Sequence, residues 1–540
     1  MRDRSSALCL CPRLPSPAEM ARIDQAAIAG GTPAIELMER AGQAFFDEIN
    51  AWPPLKASGN ARIVVLCGPG NNGGDGLVLS RLLMQSGALP RTVLCSSQRY
   101  SEDCLAQLAR FVMSGGELLF LDQAPPSLQG FKHAVLSAKD LYYTIEQSQI
   151  VVDALLGTGQ KGAPRGQAAT LIAIVNQVRT SEENPPLVVS LDIPSGINAE
   201  TGAVYDPGIS ADLTIAVEAF KRGMWQYPAR ASCGETSVVA IGLDPSCTAV
   251  EFSLLHPQVT RALLQRPGDF HKGRAGSVYV LGGSRCMPGA PVLAASAALH
   301  SGAGLVSMAA LAGSRDIQIP PEIILDFPQA TARDSFGLPA FKKIVKALDR
   351  CDCLLLGPGL GTSPASSGLV SSLVKWIGAQ GYPAVIDADA LNILAAHKRL
   401  PELPSCILTP HPGEMARLLQ CDAASVQSDR FKAVRKLHEI TGAICVLKGP
   451  GTLVYSQGRG FVNPTGGPFL ATAGSGDVLC GMIAAFYSQL RQQPDAQLHA
   501  SCAAVYAHGL CGQSWGPLTA SDIIRNIPLE LGALAGNRDA

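Results

Sequence analysis

The stretch "PTGGPFLATAGSGDVLCGMIAAF" (464–486) sets a single carboxylate, Asp477, where a loop of small residues turns into an apolar helix. A helix start of that kind offers free backbone N–H groups and the positive end of the helix dipole, which suit an anion. A carboxylate would repel a phosphate placed there. Asp477 therefore either caps the helix, a task for which aspartate is well suited, or faces something other than the anion. Nearby, Lys448 in "VLKGPGT" reads as a cation for nucleotide phosphates, with Gly449, Pro450, Gly451 and Thr452 as its loop. His411 lies in the Pro-flanked loop "TPHPGE" at a strand end, where ligand contacts are common. No glycine stretch is followed by the Gly-Lys-Ser/Thr of a P-loop.

A second set of polar residues stands in the first half of the chain. "GPGNNGGDGLVLSRLL" places Asn71, Asn72 and Asp75 at a strand-to-helix turn, "QIVVDALLGTG" ends a strand with Asp153, and "LVVSLDIPSG" contributes Asp192 and Ser195. Gly68, Gly70 and Gly73 satisfy the spacing of a dinucleotide fingerprint, but no acid closes the next strand, "RTVLCS". Asp75 also occupies the position where a pyrophosphate needs a bare helix end. A purely structural turn would not call for two asparagines and an aspartate. Polar strand ends from one sheet would converge on one pocket.

The elements that position these residues recur with little variation. Runs such as "RIVVLCGPG", "LTIAVEA", "TSVVAIGL", "SVYVLGGS", "LVSMAAL", "CLLLGPGLG", "AVIDADALN", "CILTPHPGE", "ICVLKGPGT" and "TLVYSQG" are continuously apolar and end in polar or glycine-rich loops. They read as parallel strands buried on both faces, with ligands bound at their carboxyl ends. A chain of 540 residues exceeds one ordinary core. With "GLDPSCTAV" closing one α/β unit and "RPGDFHKGRAG" opening the next, the expected division is a tail at 1–14, one α/β domain at 15–245, a linker at 246–268 and a second α/β domain at 269–540.

Hydrophobic residues make up 47% and charged residues 16%, with net charge −1, so bulk charge gives no reason to expect nucleic acid or an anionic membrane. The sixteen cysteines are scattered without a CxxC pair and read as buried free thiols. The start "MRDRSSALCLCP" is too short in apolar residues for a signal peptide, and no run approaches a membrane span. A cytoplasmic location follows as the expectation.

Residues 15–245, through "MARIDQAAIAGGTPAIELMERAG", "NNGGDG" and "LDIPSG", resemble the YjeF N-terminal domain, the NAD(P)H-hydrate epimerase. That resemblance implies a potassium ion at Asn72, Asp153 and Ser195. It implies substrate contacts from Asn71, Asn72, Gly73, Gly74 and Asp75, from Gly157, Thr158, Gly159, Gln160, Lys161, Gly162 and Ala163, and from Asp192. Asp192 is also the candidate acid/base. Epimerisation could run through an iminium ion or through ring opening, and both routes stay open.

Residues 270–530 resemble the ribokinase-like ADP-dependent NAD(P)H-hydrate dehydratase, with "AGSGDVL" as the small-residue Gly-Asp signature. In that family the aspartate takes the proton of the acceptor hydroxyl while the preceding amides hold the phosphoryl group, which assigns Asp477 as base. The resemblance implies substrate contacts at Ala290, Gly359, His411 and Asp477, nucleotide contacts at Lys448, Gly449, Pro450, Gly451, Thr452 and Gly476, and Mg2+ carried with ADP. Phe469 and Ala473 depart from glycines of the family pattern. The expected fold is therefore α/β in two domains, an N-terminal Rossmann-like three-layer α/β/α domain and a C-terminal ribokinase-like α/β domain. The expected function is repair of hydrated nicotinamide nucleotides (NAD(P)HX). The partners would be NAD(P)HX, ADP and further copies of the chain, with neither nucleic acid nor membrane. The alternative is a vitamin-precursor kinase whose N-terminal domain only senses a ligand.

Overall fold

The computed structural model describes residues 6–56, 61–97, 99–128, 130–266, 268–311, 318–328, 330–332, 335–514 and 516–536. They form two compact units, Arg13–Glu251 and the remainder of the described chain. Among the described residues no helix is long and apolar enough to cross a membrane.

In the first unit eight strands run in parallel: β1 (Ile63–Cys67), β2 (Arg91–Leu94), β3 (Leu118–Leu121), β4 (His133–Leu136), β5 (Ile150–Ala154), β6 (Leu187–Leu191), β7 (Leu213–Val217) and β8 (Glu235–Val239). Their order is β4-β3-β2-β1-β5-β6-β7-β8. The chain moves outward from β1 in one direction, returns, and moves outward again from β5. The β1/β5 boundary is thus the switch point at which open α/β sheets form a crevice. Two apolar clusters cover the two faces, one around Phe45 and Phe120 and the other around Leu66 and Val175. The loops after β1 and β5 touch: a Cβ on Gly68 would lie 1.8 Å from the Leu155 carbonyl, so only glycine fits.

The second unit contains β9 (Phe252–Leu254), β10 (Ser277–Leu281), β11 (Leu305–Ala309), β12 (Ile324–Asp326), the separate pair β13 (Ala330–Ala332) and β14 (Ser335–Phe336), β15 (Cys353–Leu356), β16 (Ala384–Ile386), β17 (Cys406–Leu408), β18 (Ile444–Leu447), β19 (Leu453–Ser456) and β20 (Arg459–Val462). The main sheet has the order β12-β11-β10-β15-β16-β17-β18-β19-β20-β9, with its switch point between β10 and β15. Across the sheet lies the apolar helix Ser475–Leu490, nearly all of it buried.

Three expectations need correction. "TLVYSQG" was expected to run parallel, but β19 is antiparallel to β18 and β20 to β19. The connection 448–452 is far too short for a crossover, and only a hairpin can close over it. The segment 246–268 is not a free linker. Phe252–Leu254 joins the sheet beside β20, and Val259 and Leu263 of the helix Gln258–Leu264 lie in the second unit's core. The tail 1–14 is only partly a tail: residues 1–5 lie outside the described residues, while Leu8 and Cys11 are buried in that same core. Burial of apolar side chains, rather than sequence order, assigns these segments.

Candidate active sites

At the first unit's switch point a cavity of about 590 Å³ opens, a size suited to part of a large nucleotide. Among its lining residues are Asn71, Asn72, Asp75, Gly157, Thr158, Gly159, Gln160 and Asp192, so most of the expected substrate contacts share one space. Gly73 and Gly74 do not line it. Their helix start is packed so closely that a Cβ would meet the Gly68 carbonyl or the Met38 sulfur. Lys161, Gly162 and Ala163 also stay outside the lining.

Beneath the cavity Asp153, at the end of β5, is fully buried. Its Oδ1 accepts from Ser195 Oγ (2.6 Å) and the Leu155 amide (3.2 Å). Its Oδ2 accepts from the Ser195 amide (2.8 Å) and Ser190 Oγ (2.9 Å). Burial raises its pKa, while these hydrogen bonds pull the other way. Among the described residues no lysine or arginine pairs with it. Asn72 donates through Nδ2 to the Leu156 carbonyl (3.0 Å), which leaves its buried Oδ1 without a partner. The three expected potassium ligands are therefore adjacent. They combine a buried carboxylate lacking a counter-ion with an unused amide oxygen.

Asp192 sits just past β6 in a left-handed conformation (φ 64°). Its Oδ1 accepts from the Val217 amide (3.1 Å) and from the ammonium of Lys221, a buried side chain that also donates to the Val217 carbonyl (3.1 Å). Asp75 and Asp24 line the same cavity. Among the described residues Asp75 has no hydrogen-bond partner for its carboxyl group. Burial and the neighbouring Asp192 hold its pKa well above the usual range against the pull of Lys221. Asp24 is pushed up to about 6, first by burial and then by Asp192 and Glu218. The sequence reading missed Lys221 and Asp24. Lys221 lies four residues past the apolar run "LTIAV", and a lone lysine carries no local signal of burial.

In the second unit Asp477 occupies the third position of the helix Ser475–Leu490. Its N-cap is Gly474 (φ 86°), without any side-chain cap. A Cβ on Gly474 would come within 2.6 Å of Leu293. Asp477 caps nothing, and among the described residues its carboxylate has no hydrogen bond. Burial raises its pKa to about 7, with Asp387, Asp389 and Glu414 adding to the rise and Lys448 opposing it. The helix-cap reading of this residue therefore fails on geometry.

Lys448 does not stand free. Its Nζ lies 2.7 Å from Asp387 Oδ1 and 3.9 Å from Glu414 Oε2. Burial works against its charge, but these two carboxylates outweigh it and raise its pKa. The ammonium lies close under the signature loop, since a Cβ on Gly476 would be 3.4 Å away. His411 is the N-cap of the helix Pro412–Leu419. Its Nδ1 accepts from the Gly413 amide (3.0 Å), and Nε2 lies 3.5 Å from Glu414 Oε1. Burial, Lys448 and Arg417 lower its pKa, so the ring is neutral with its proton on Nε2. Glu414 is pushed up to about 7, chiefly by burial. Ala290 and Gly359 meet at the switch point, where Gly359 has φ 62° and a Cβ on it would lie 3.0 Å from that of Ala290. Asp387, Asp389 and Glu414 stand in "AVIDADALN" and "CILTPHPGE", where nothing local marks these acids as part of a site.

Residues 278–523 match the model of the family described as NAD(P)H-hydrate dehydratase, and residues 34–223 match that of the YjeF-related protein N-terminus. The bifunctional NAD(P)H-hydrate repair enzyme of Moorella thermoacetica is 36% identical over 92% of this chain and 91% of its own. The one from Coxiella burnetii is 36% identical over 87% of this chain and 89% of its own. A solved structure, the ADP/ATP-dependent NAD(P)H-hydrate dehydratase from Bacillus subtilis co-crystallized with ATP/Mg2+, is 28% identical with a TM-score of 0.43, over 52% of this chain and 97% of that one.

Proposed function

The chain belongs to the family of bifunctional NAD(P)H-hydrate repair enzymes, and from that premise we propose a division of labour between its two units. The unit Arg13–Glu251 epimerises R- and S-NAD(P)HX. The other dehydrates the S form to NAD(P)H at the expense of ADP, giving AMP and phosphate. The observation that carries the second assignment is the Asp477 carboxylate, unbonded beside an uncapped helix start.

The hydroxyl on the ring carbon next to nitrogen is a poor leaving group. Asp477 takes its proton as the oxygen attacks the terminal phosphorus of ADP, and the bond to AMP breaks. The ring nitrogen's lone pair then expels phosphate, and loss of a proton from the neighbouring carbon restores the double bond. The Gly476 amide and the N–H groups of the 449–452 loop other than Pro450 would meet the phosphoryl oxygens, with His411 donating from Nε2. Among the described residues no three His, Cys, Asp or Glu side chains converge as a metal site. A magnesium ion would be held largely by the nucleotide's own phosphates, where it neutralises charge.

Base catalysis by Asp477 has a defined sign. The ionised form is required and its pKa is raised to about 7. Turnover of the S form at saturating substrate should therefore fall about tenfold for each pH unit below that midpoint. Glu414→Gln removes one of the charges raising it and should move the midpoint down. A flat profile from pH 6 to 8 would contradict the assignment.

For epimerisation, the leaving hydroxyl needs a proton and the resulting iminium needs a negative neighbour. Asp192, the expected acid/base, is paired with Lys221 and suits the second task. Asp75, with no partner and its pKa raised, suits the first. Potassium at Asn72, Asp153 and Ser195 fits the buried uncompensated carboxylate and the unused Asn72 oxygen, as one charge among neutral oxygens suits a monovalent cation. Asp153→Asn should abolish the rise in melting temperature that potassium salts give over sodium salts. It should also slow epimerisation, with dehydration of pure S unchanged. A potassium response equal to wild type would remove this assignment.

The edge strand β12 leaves Ile324 and Leu325 exposed, with Phe327 just beyond. That apolar edge supports self-association of the chain. That no disulfide links cysteines among the described residues supports a reducing compartment, the cytoplasm.

The deciding experiment gives the protein mixed epimers of hydrated NADH with ADP and follows NADH, AMP and free phosphate. Stoichiometric release of all three from both epimers is expected. A phosphorylated product without free phosphate would identify a simple kinase.

A further inference from the structure

The loop Gly449–Thr452 is expected to meet an anionic phosphate, yet the cation beside it is already committed. Lys448 is held by Asp387 at 2.7 Å and faces Gly476 rather than open space. A different cation lies beneath the loop. Arg430 opens the helix Arg430–Thr441 and is only 5% exposed. Its Nη2 donates to the carbonyls of Leu447 (3.2 Å) and Lys448 (3.4 Å), and Nη1 to Gln427 Oε1 (3.5 Å). Nε is buried without an acceptor, and among the described residues no carboxylate forms an ion pair with this guanidinium. Gly449 rests directly on it: a Cβ there would fall 2.8 Å from Nη1, and its φ of 128° excludes other residues as well. Burial lowers the Arg430 pKa to about 10, which leaves it charged at neutral pH.

Burying a guanidinium with one N–H unpaired and no counter-ion is costly, and a structural pin to two carbonyls needs no charge. A negative ligand on the other side of a one-residue-thick loop would supply the missing counter-charge. We propose that Arg430 is the positioning residue for the nucleotide phosphates: it fixes the carbonyls of Leu447 and Lys448 and places positive charge under Gly449–Thr452. Lys448, by contrast, acts on Asp477 through the shared network with Asp387 and Glu414. The inference rests on the reading of this unit as a nucleotide-dependent dehydratase.

The test separates charge from pinning. Arg430→Gln is too short to reach the carbonyls and removes the charge together with the fork, whereas Arg430→Lys keeps the charge and loses only the fork. Direct calorimetric titration with ADP, at low and high salt, reads affinity without turnover. Arg430→Gln should weaken ADP binding about tenfold and flatten its salt dependence, because a charge-assisted contribution has gone. Its KM for the hydrate and its kcat should stay within about twofold of wild type. Arg430→Lys should regain most of the affinity. Lys448→Met should show the opposite split, with kcat and the pH midpoint altered and ADP affinity nearly intact. Equal ADP affinity and equal salt slope in Arg430→Gln and wild type would overturn the proposal, as would a loss of affinity confined to Lys448→Met. If Arg430→Gln does not fold, Arg430→Met is read by the same criteria. A wild-type protein that fails to bind ADP at all would instead discard the dehydratase reading.

Discussion

Asp477→Asn should yield a protein that interconverts the R and S hydrates but restores almost no reduced nucleotide. The substitution keeps size and shape and breaks no hydrogen bond, because among the described residues the Asp477 carboxylate has none. What it removes is the carboxylate oxygen at the helix start that takes the hydroxyl proton. General bases contribute ~10²–10⁴-fold, so dehydration of the S form should slow by at least that much, about 3–5 kcal/mol in barrier. ADP should bind as well as before or slightly better, since a negative charge near its phosphates is gone. The melting temperature should not fall, because a buried carboxylate with its pKa raised to about 7 contributes no favourable charge to the fold. Single-turnover measurement with pure S hydrate and saturating ADP reads the chemical step directly. A rate within threefold of wild type in a folded protein would leave this unit without a base, and the kinase-type mechanism with it.

Asp192→Asn should show the reverse: prompt consumption of the S form, with R stranded apart from its slow spontaneous conversion. The loss here is electrostatic. Asp192 Oδ1 accepts from Lys221 and from the Val217 amide, so the substitution leaves the Lys221 ammonium without its anion in a buried site. The cavity then holds one negative charge fewer beside a ring that must itself become positive. Charge stabilisation of this kind is commonly worth ~10²–10³-fold, and epimerisation should fall by at least the lower figure. Lys221→Met in the same background should recover part of the rate, because it removes the uncompensated cation. Asp75→Asn should also be slow, but without that rescue. NADH recovery from a mixed sample given Asp192→Asn alone should stop near the S fraction initially present. Complete recovery at wild-type speed from Asp192→Asn would take the residue out of the mechanism.

Strand after strand in this chain could be read from sequence, because parallel strands buried on both faces must be continuously apolar and must end in loops that bend sharply. That requirement made "VVDALLG" and "LDIPSG" visible, and with them Asp153, Asp192 and Ser195, whereas "AGSGDVL" with Asp477 stood out as a loop of small residues opening an apolar helix. Short strands with weaker patterns escaped. His133–Leu136 forms one edge of the first sheet, where burial constrains composition less, Leu118–Leu121 is buried but only four residues long, and Arg459–Val462 follows a tight turn that ends in glycine.

The sequence by itself determined which residues stand at strand ends, since hydrophobic period and loop chemistry are local properties. It could not determine what stands beside them. Lys221 meets Asp192 across 29 residues and Lys448 meets Asp387 across 61, and neither pair leaves a mark at any fixed spacing. Charge state follows those meetings. Lys448 reads in sequence as a free cation, but Asp387 is bound to it. Asp477 reads as a base with a helix cap as the alternative, and the cap is Gly474. Arg430 carries no sequence signal, yet its guanidinium lies under Gly449 with no carboxylate ion-paired to it among the described residues. Burial and Coulomb interaction act through space, so only the tertiary structure decides them.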